Sequence, residues 1–156
     1  MLKEKLSYMI EVLRIVGCIV GIQIGYWGAS DPTSRLEIMT VVLVLCLSGT
    51  VAFESLVLGE SASKKIGYTP NRAYQVQSGL NSLAVVIALG LIKSFGWDIN
   101  AYLALLTVVL VFFTLSSLNH AWTWYKEGNR KLVNVLRPFM TIALIAAAVP
   151  AVVMAL

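Results

Sequence analysis

The run AYLALLTVVLVFFTLSSLNHA, Ala101 to Ala121, contains no Asp, Glu, Lys or Arg. A bilayer hydrocarbon core about 30 Å thick is crossed by about 20 apolar residues in helical form. Four more runs of the same kind lie at Tyr8–Trp27, Leu36–Leu58, Ala73–Ile92 and Pro138–Leu156. Backbone polar groups cannot stay unpaired in lipid, so each run is expected to be a helix. The period-2 alternation of a β-barrel strand is absent. The composition agrees: hydrophobic residues make up 58% and charged residues 13% of the 156, against about a quarter charged in soluble domains. The fold expected is all-α, a single membrane domain over residues 1–156 built as a bundle of five transmembrane helices.

The basic residues orient that bundle. With the N-terminus inside, one side collects Lys3, Lys5, Arg14, Lys64, Lys65, Arg72, Lys126, Arg130, Lys131 and Arg137, and the other holds Arg35 and Lys93. Positively charged loops stay cytoplasmic, so the C-terminus is expected outside. Tyr26, Trp27, Trp97 and Tyr102 then belong to the outer interface, and Tyr8, Tyr68, Tyr74, Trp122, Trp124 and Tyr125 to the inner one. The net charge of +4 is read as this topology plus contact with anionic lipids at the inner surface, not as nucleic-acid binding. Ile15-Val16-Gly17-Cys18 has the residue types of a lipoprotein cleavage box. Glu11 and Arg14 interrupt the apolar run that a signal peptide needs, so a retained first span is expected. Cys18 and Cys46 form no C-x-x-C pair and imply no disulfide framework.

Small residues mark packing faces. Gly17, Gly21 and Gly25 recur every fourth residue in the first span, as do Ala143, Ala147 and Ala151 in the last. These stripes admit close helix approach, and the first and last helices are expected to meet within a protomer or between protomers of a homo-oligomer. Pro150 is expected to kink the last helix. After the second span a short interfacial helix is expected to end at Gly67, a left-handed position. Thr69 is expected to cap the third helix, with Pro70 in its first turn.

The polar residues within the spans gather at one depth. Glu11 and Arg14 lie in the first span, Glu54 near the inner end of the second, Gln77, Ser78 and Asn81 in the inner half of the third, and Asn119 and His120 at the inner end of the fourth. Ionisable groups in a membrane are costly and usually face a bundle interior or a water-filled cavity. Glu11 and Arg14, at i and i+3, can pair along their helix. Glu54 is expected at the centre, paired with Arg14 or His120, with Gln77 and Asn81 close by. The candidate ligand-binding residues are therefore Glu11, Arg14, Glu54, Gln77, Asn81, Asn119 and His120. One reading makes them a buried network that fixes helix register. The other makes them the lining of a vestibule for a small polar solute, ion or lipid headgroup. No catalytic set, metal site or cofactor is expected: a single histidine cannot supply two axial haem ligands, and there is no H-E-x-x-H, P-loop, G-x-S-x-G or G-x-G-x-x-G.

The run Leu58-Gly59-Glu60-Ser61-Ala62, Gly67-Tyr68, Pro70, Gln75-x-Gln77-Ser78-Gly79-x-Asn81-x-Leu83-Ala84 resembles a small prokaryotic multi-span membrane family of unknown function, loosely DoxX-like. His120, the Glu127-Gly128-Asn129 turn and Arg137-Pro138 extend the resemblance to about half the chain. It implies a prokaryotic plasma membrane and no defined activity. Asn71 to Gln75 and Asn81 are also similar to the second helix of the four-span eicosanoid and glutathione-metabolising enzymes, whose histidine and glutamate are missing here. The function expected is binding or passage of a small polar solute, ion or lipid from the cytoplasmic side. The alternatives are a membrane enzyme with a lipophilic substrate and an accessory subunit of a membrane complex.

Overall fold

A computed structural model describes residues 2–156, and the described residues are helical throughout apart from short turns. Helix α1 is Leu2–Gly28, α2 is Pro32–Leu58, α3 is the short Glu60–Ile66, α4 is Arg72–Ser94, α5 is Ile99–Lys126 and α6 is Leu132–Ala155. All but α3 are long and apolar enough to cross a membrane. They extend past the apolar runs because polar residues at their ends continue the same helices: α6 begins six residues before Pro138, and α5 continues through Trp122-Thr123-Trp124.

Local chemistry sets the ends. Asp31 caps α2, its carboxylate accepting from the Ser34 amide at 2.9 Å, with Pro32 supplying the first helical residue. Asp98 caps α5 in the same way, accepting from the Asn100 amide at 3.0 Å. The cap of α4 is Asn71, which accepts from the Tyr74 amide at 3.1 Å, and not Thr69. Thr69 and Pro70 stay in the connecting turn, because the Asn71 side chain is the oxygen in reach of the first free amides. Gly67 closes α3 with φ 77°, as its position predicts. Gly59 breaks α2 from α3 with φ 46°, a backbone that an L side chain rarely adopts. Helix α6 continues through both Pro138 and Pro150.

The helices alternate in direction, so Leu2, Leu58, α3, Arg72, Lys126 and Leu132 share one end of the bundle. That end, here the basic end, holds the ten basic residues grouped above, and Arg35 and Lys93 lie at the other. Contacts across the bundle fix the arrangement: Glu54 meets Arg14 at the basic end, while at the opposite end Lys93 reaches Glu37 at 3.1 Å and Tyr26 donates to the Ala147 carbonyl at 2.9 Å.

Helix α2 is the central element. Leu36, Met39, Leu43 and Val44 have no exposed surface, and they pack with Leu89 and Ile92 of α4, Tyr102, Leu106 and Val109 of α5, and Leu144, Ala148 and Ala151 of α6. The glycine stripe of α1 lies against this same helix and not chiefly against α6. A Cβ at Gly17 would sit 2.5 Å from Cys46 Sγ, and one at Gly21 or Gly25 would overlap Val42 or Met39. The turn Ala29–Asp31 is short, so α1 and α2 pack as antiparallel neighbours. Met39, Val42 and Cys46, at i, i+3 and i+7, form the ridge that fills the glycine groove. The α6 residues turned to the core are Leu144, Ala148 and Ala151, while Ala143 and Ala147 border a cavity.

Two five-residue π turns, Leu45–Gly49 and Glu54–Leu58, interrupt α2 on the way to the basic end. Each extra residue rotates the following segment by about 100° relative to an unbroken α-helix. Between them the Thr50 hydroxyl donates to the Cys46 carbonyl at 2.6 Å, and its oxygen is left to accept from another helix. The π turns thus set the direction in which Thr50 and Glu54 leave the helix.

Candidate functional site: a paired-ion network beneath an interhelical cavity

Glu54, 4% exposed, lies at the start of the second π turn. One carboxylate oxygen accepts from Ser7 Oγ at 2.8 Å and from Lys65 Nζ at 2.6 Å, and the other accepts from Arg14. Glu11 is its counterpart on α1. Its Oε2 accepts from Arg14 at 2.9 Å, Lys65 at 2.7 Å and Arg137 at 3.2 Å. Arg14 also donates through Nε to Thr50 Oγ1 at 2.7 Å, and Lys65 donates to the Ser7 carbonyl at 3.1 Å. Two carboxylates and three cations from α1, α2, α3 and α6 therefore form one connected, largely buried network. Burying ions this way is costly unless every partner is in place, and here each carboxylate meets at least two cations.

His120 joins the network through Arg137, whose Nη1 lies 2.8 Å from His120 Nε2. A guanidinium can only donate, so Nε2 accepts and carries no proton. The proton is then on Nδ1, which donates to the Asn134 side-chain oxygen. Asn134 is fully buried, and its amide nitrogen donates to Thr123 Oγ1 at 3.2 Å and the Asn129 carbonyl at 3.2 Å. These donations fix the orientation of the amide. The Tyr68 ring stacks on the imidazole with centroids 5.6 Å apart, and its hydroxyl accepts from Asn119 at 3.1 Å. His120 is thus a neutral imidazole with both nitrogens engaged.

Above this network a cavity of about 540 Å³ lies between the helices, within the range usual for small-molecule sites. Its basic end is lined by Glu11, Arg14, Lys65, Tyr68, His120 and Arg137. Its other end is mainly apolar, with Ile19 and Ile22 of α1, Phe112 and Phe113 of α5, and Leu144 of α6, beside the polar Gln23. From Glu11 to Gln23 along α1 the lining covers about 18 Å. The lining also includes residues on the outer surface of the bundle: Ile19 and Ala143 on α1 and α6, and Tyr74, Phe112 and Asn119 on α4 and α5. The cavity therefore opens sideways. The fully buried residues Leu36, Met39, Leu43 and Leu106 take no part in its lining.

Of the residues singled out in the sequence, Glu11, Arg14, Glu54 and His120 are buried at the basic end, and Asn119 reaches it through Tyr68. Glu54 pairs with Arg14 and with Lys65, and its hydrogen bonds do not include His120. Gln77 and Asn81 are exposed on the outer surface of α4 and stand apart from the network. The inward face of α4 carries Gln75, Gly79 and Ser82. Gly79 sets that register, because a Cβ there would come within 2.7 Å of Leu56 Cγ on α2. Lys65, Arg137, Ser7, Thr50, Tyr68 and Asn134 complete the cluster. Asn134 and Arg137 share a helical face at i and i+3, a signal visible once α6 is started at Leu132. No group of three or more His, Cys, Asp or Glu side chains suited to a metal occurs among the described residues. Cys18 and Cys46 are free thiols, both half-buried.

The model of a family of unknown function, DUF6790, matches residues 5–156, and the chain belongs to that family. Nothing in the match supports kinship with DoxX-like proteins. No curated protein and no solved structure matches the chain.

Proposed function

We propose that this member of the family is a multi-pass membrane protein that takes a single-chain amphiphile from the bilayer into the cavity between its helices. The head of the ligand would rest on the network at the basic end and its chain on Ile15, Ile19, Ile22, Phe112 and Leu144. The observation that carries this reading is the polarity of the cavity itself: ions and hydroxyls at one end, aliphatic and aromatic side chains at the other, with a sideways opening. The positive-inside rule favours a cytoplasmic basic end. Lys3, Lys5, Lys64, Lys126, Arg130 and Lys131, which take no part in the ion network, would then meet anionic headgroups.

Binding is favoured over passage because the lining ends at Gln23 of α1 and Ala147 of α6, before either helix ends. It is favoured over catalysis because both imidazole nitrogens and both carboxylates are already hydrogen-bonded, which leaves no free base beside the space. A homo-oligomer is supported by Gln77 and Asn81, four residues apart on the outer surface of α4, since a carboxamide facing hydrocarbon without a partner is costly.

A ligand that binds only the folded state raises stability with its concentration. Thermal unfolding in a short-chain detergent should therefore move upward with added monopalmitoylglycerol or palmitate. Ala147→Phe, which fills the cavity from α6, should remove the concentration dependence while leaving the ligand-free unfolding temperature close to wild type. Equal responses in the two proteins, or none in the wild type, would overturn the reading.

A further inference from the structure

The charges around the polar end of the cavity do not cancel. Glu11 and Glu54 supply two negative charges, and Arg14, Lys65 and Arg137 supply three positive ones. His120 adds none, because it accepts from Arg137 at Nε2 and donates at Nδ1. The excess is not shared evenly. All three donors of the Lys65 ammonium are occupied, by Ser7 O, Glu11 and Glu54, and its side chain is 1% exposed. Arg14 is held on three sides, by Thr50, Glu11 and Glu54, and is 6% exposed. Arg137 keeps 22% of its side chain exposed and has only one contact to a carboxylate, the longest in the network at 3.2 Å. Two of its five N–H groups are accounted for, one by Glu11 and one by the imidazole.

From this we infer that the ligand's head is an anion, a carboxylate or phosphate oxyanion, and that Arg137 is the residue that holds it. The inference rests on the cavity being the ligand site proposed above. An arginine fork matches the geometry of an oxyanion, and a charge-assisted pair gains strength where water is scarce. His120 and Glu11 hold the guanidinium from one side, and Asn134 and Tyr68 hold the imidazole in turn, so the fork is oriented before the ligand arrives. Ser116, Ser117 and Thr141 also line the cavity. Their residue types suit the remaining oxygens of such a head. The apolar remainder of the cavity favours an anion carried on a hydrocarbon chain over a free one.

The test compares heads on one chain. Binding of palmitate and of its uncharged glycerol ester, monopalmitoylglycerol, is measured by equilibrium dialysis against the purified protein at neutral pH. Palmitate should bind at least about tenfold more tightly. Arg137→Gln should reduce that preference to near unity, and Arg137→Lys should restore part of it. Millimolar inorganic phosphate should not displace palmitate from the wild type. Equal affinity for the two heads in the wild type would overturn the inference while the cavity reading stands, and this arm needs no variant. Displacement by phosphate alone would overturn the assignment to an amphiphile. If neither compound binds, the cavity reading itself falls.

Discussion

At the end of the bundle holding Arg35 and Lys93, Leu36, Met39 and Leu43 of α2 are wrapped so closely that none keeps exposed surface. At the other end the same helix, after two π turns, presents Thr50 and Glu54 to a network of ions beneath a cavity of about 540 Å³. One half of the bundle gains its stability from close packing. The other half encloses space, and its helices are tied by charges that must all be present together. A site for another molecule belongs where the helices are held apart by paired ions. The close-packed half supplies the rigid base from which they diverge.

The contrast can be broken most forcefully at Glu54. Glu54→Gln leaves Arg14 and Lys65 facing one carboxylate in place of two, and unpairing a buried ion costs roughly 3–5 kcal/mol. A large fall in the unfolding temperature in detergent is expected, and a change near zero would show that the network does not hold the helices together. In the packed half, Leu43→Ala removes apolar contacts and opens a void, at roughly 2–5 kcal/mol. Its signature should differ: stability falls, but palmitate binding to the surviving folded protein stays near wild type. Lost binding at unchanged stability would show that the two halves are not separable.

The seam between α1 and α2 runs through both halves. Gly21→Leu forces a side chain into Val42, and overpacking of this kind costs about 1–3 kcal/mol. Unchanged stability would mean that α1 turns a different face to α2. The smallest effect is expected at the exposed turn before α2. Hydrogen bonds from the Ser34 hydroxyl and amide hold the Asp31 carboxyl below its ordinary value. A depressed folded-state value gives stability that is present above the unfolded value, about 3.9, and lost as the pH falls through the depressed one. Asp31→Ala should therefore lower the unfolding temperature slightly at neutral pH, with the difference from wild type closing in acid. A difference that persists at low pH would assign the effect to something other than the charged cap.

The division between the halves is only partly legible in the sequence. The long helices follow from apolar runs, whose length and composition require no knowledge of neighbours. The Glu11–Arg14 pair follows from spacing along one helix, and the placing of Glu54 near Arg14 from their similar depth. Helix pairing does not follow, because a glycine stripe shows that something approaches without showing what. The first helix accordingly meets α2 and not chiefly the last helix. The inward face of α4 was equally hidden. Gln77 and Asn81 are the more conspicuous polar residues, yet the contact of Gly79 with Leu56 decides the register and turns Gln75 and Ser82 inward. Lys65 reads as one of a pair of loop lysines. Only the folding of α3 back under the bundle separates it from exposed Lys64. Arg137 was concealed by Pro138, which suggests a helix start, whereas α6 begins at Leu132 and brings Arg137 into its second turn.

The most direct test of the central claim is native mass spectrometry of the protein released from its own membrane in mild detergent. The account predicts one retained amphiphile per chain, of a mass that fits an anionic head on a hydrocarbon chain. It also predicts loss of that adduct in Ala147→Phe at an unchanged unfolding temperature. A wild-type protein that emerges with no bound amphiphile, or an adduct equally abundant in the cavity-filled variant, would contradict it.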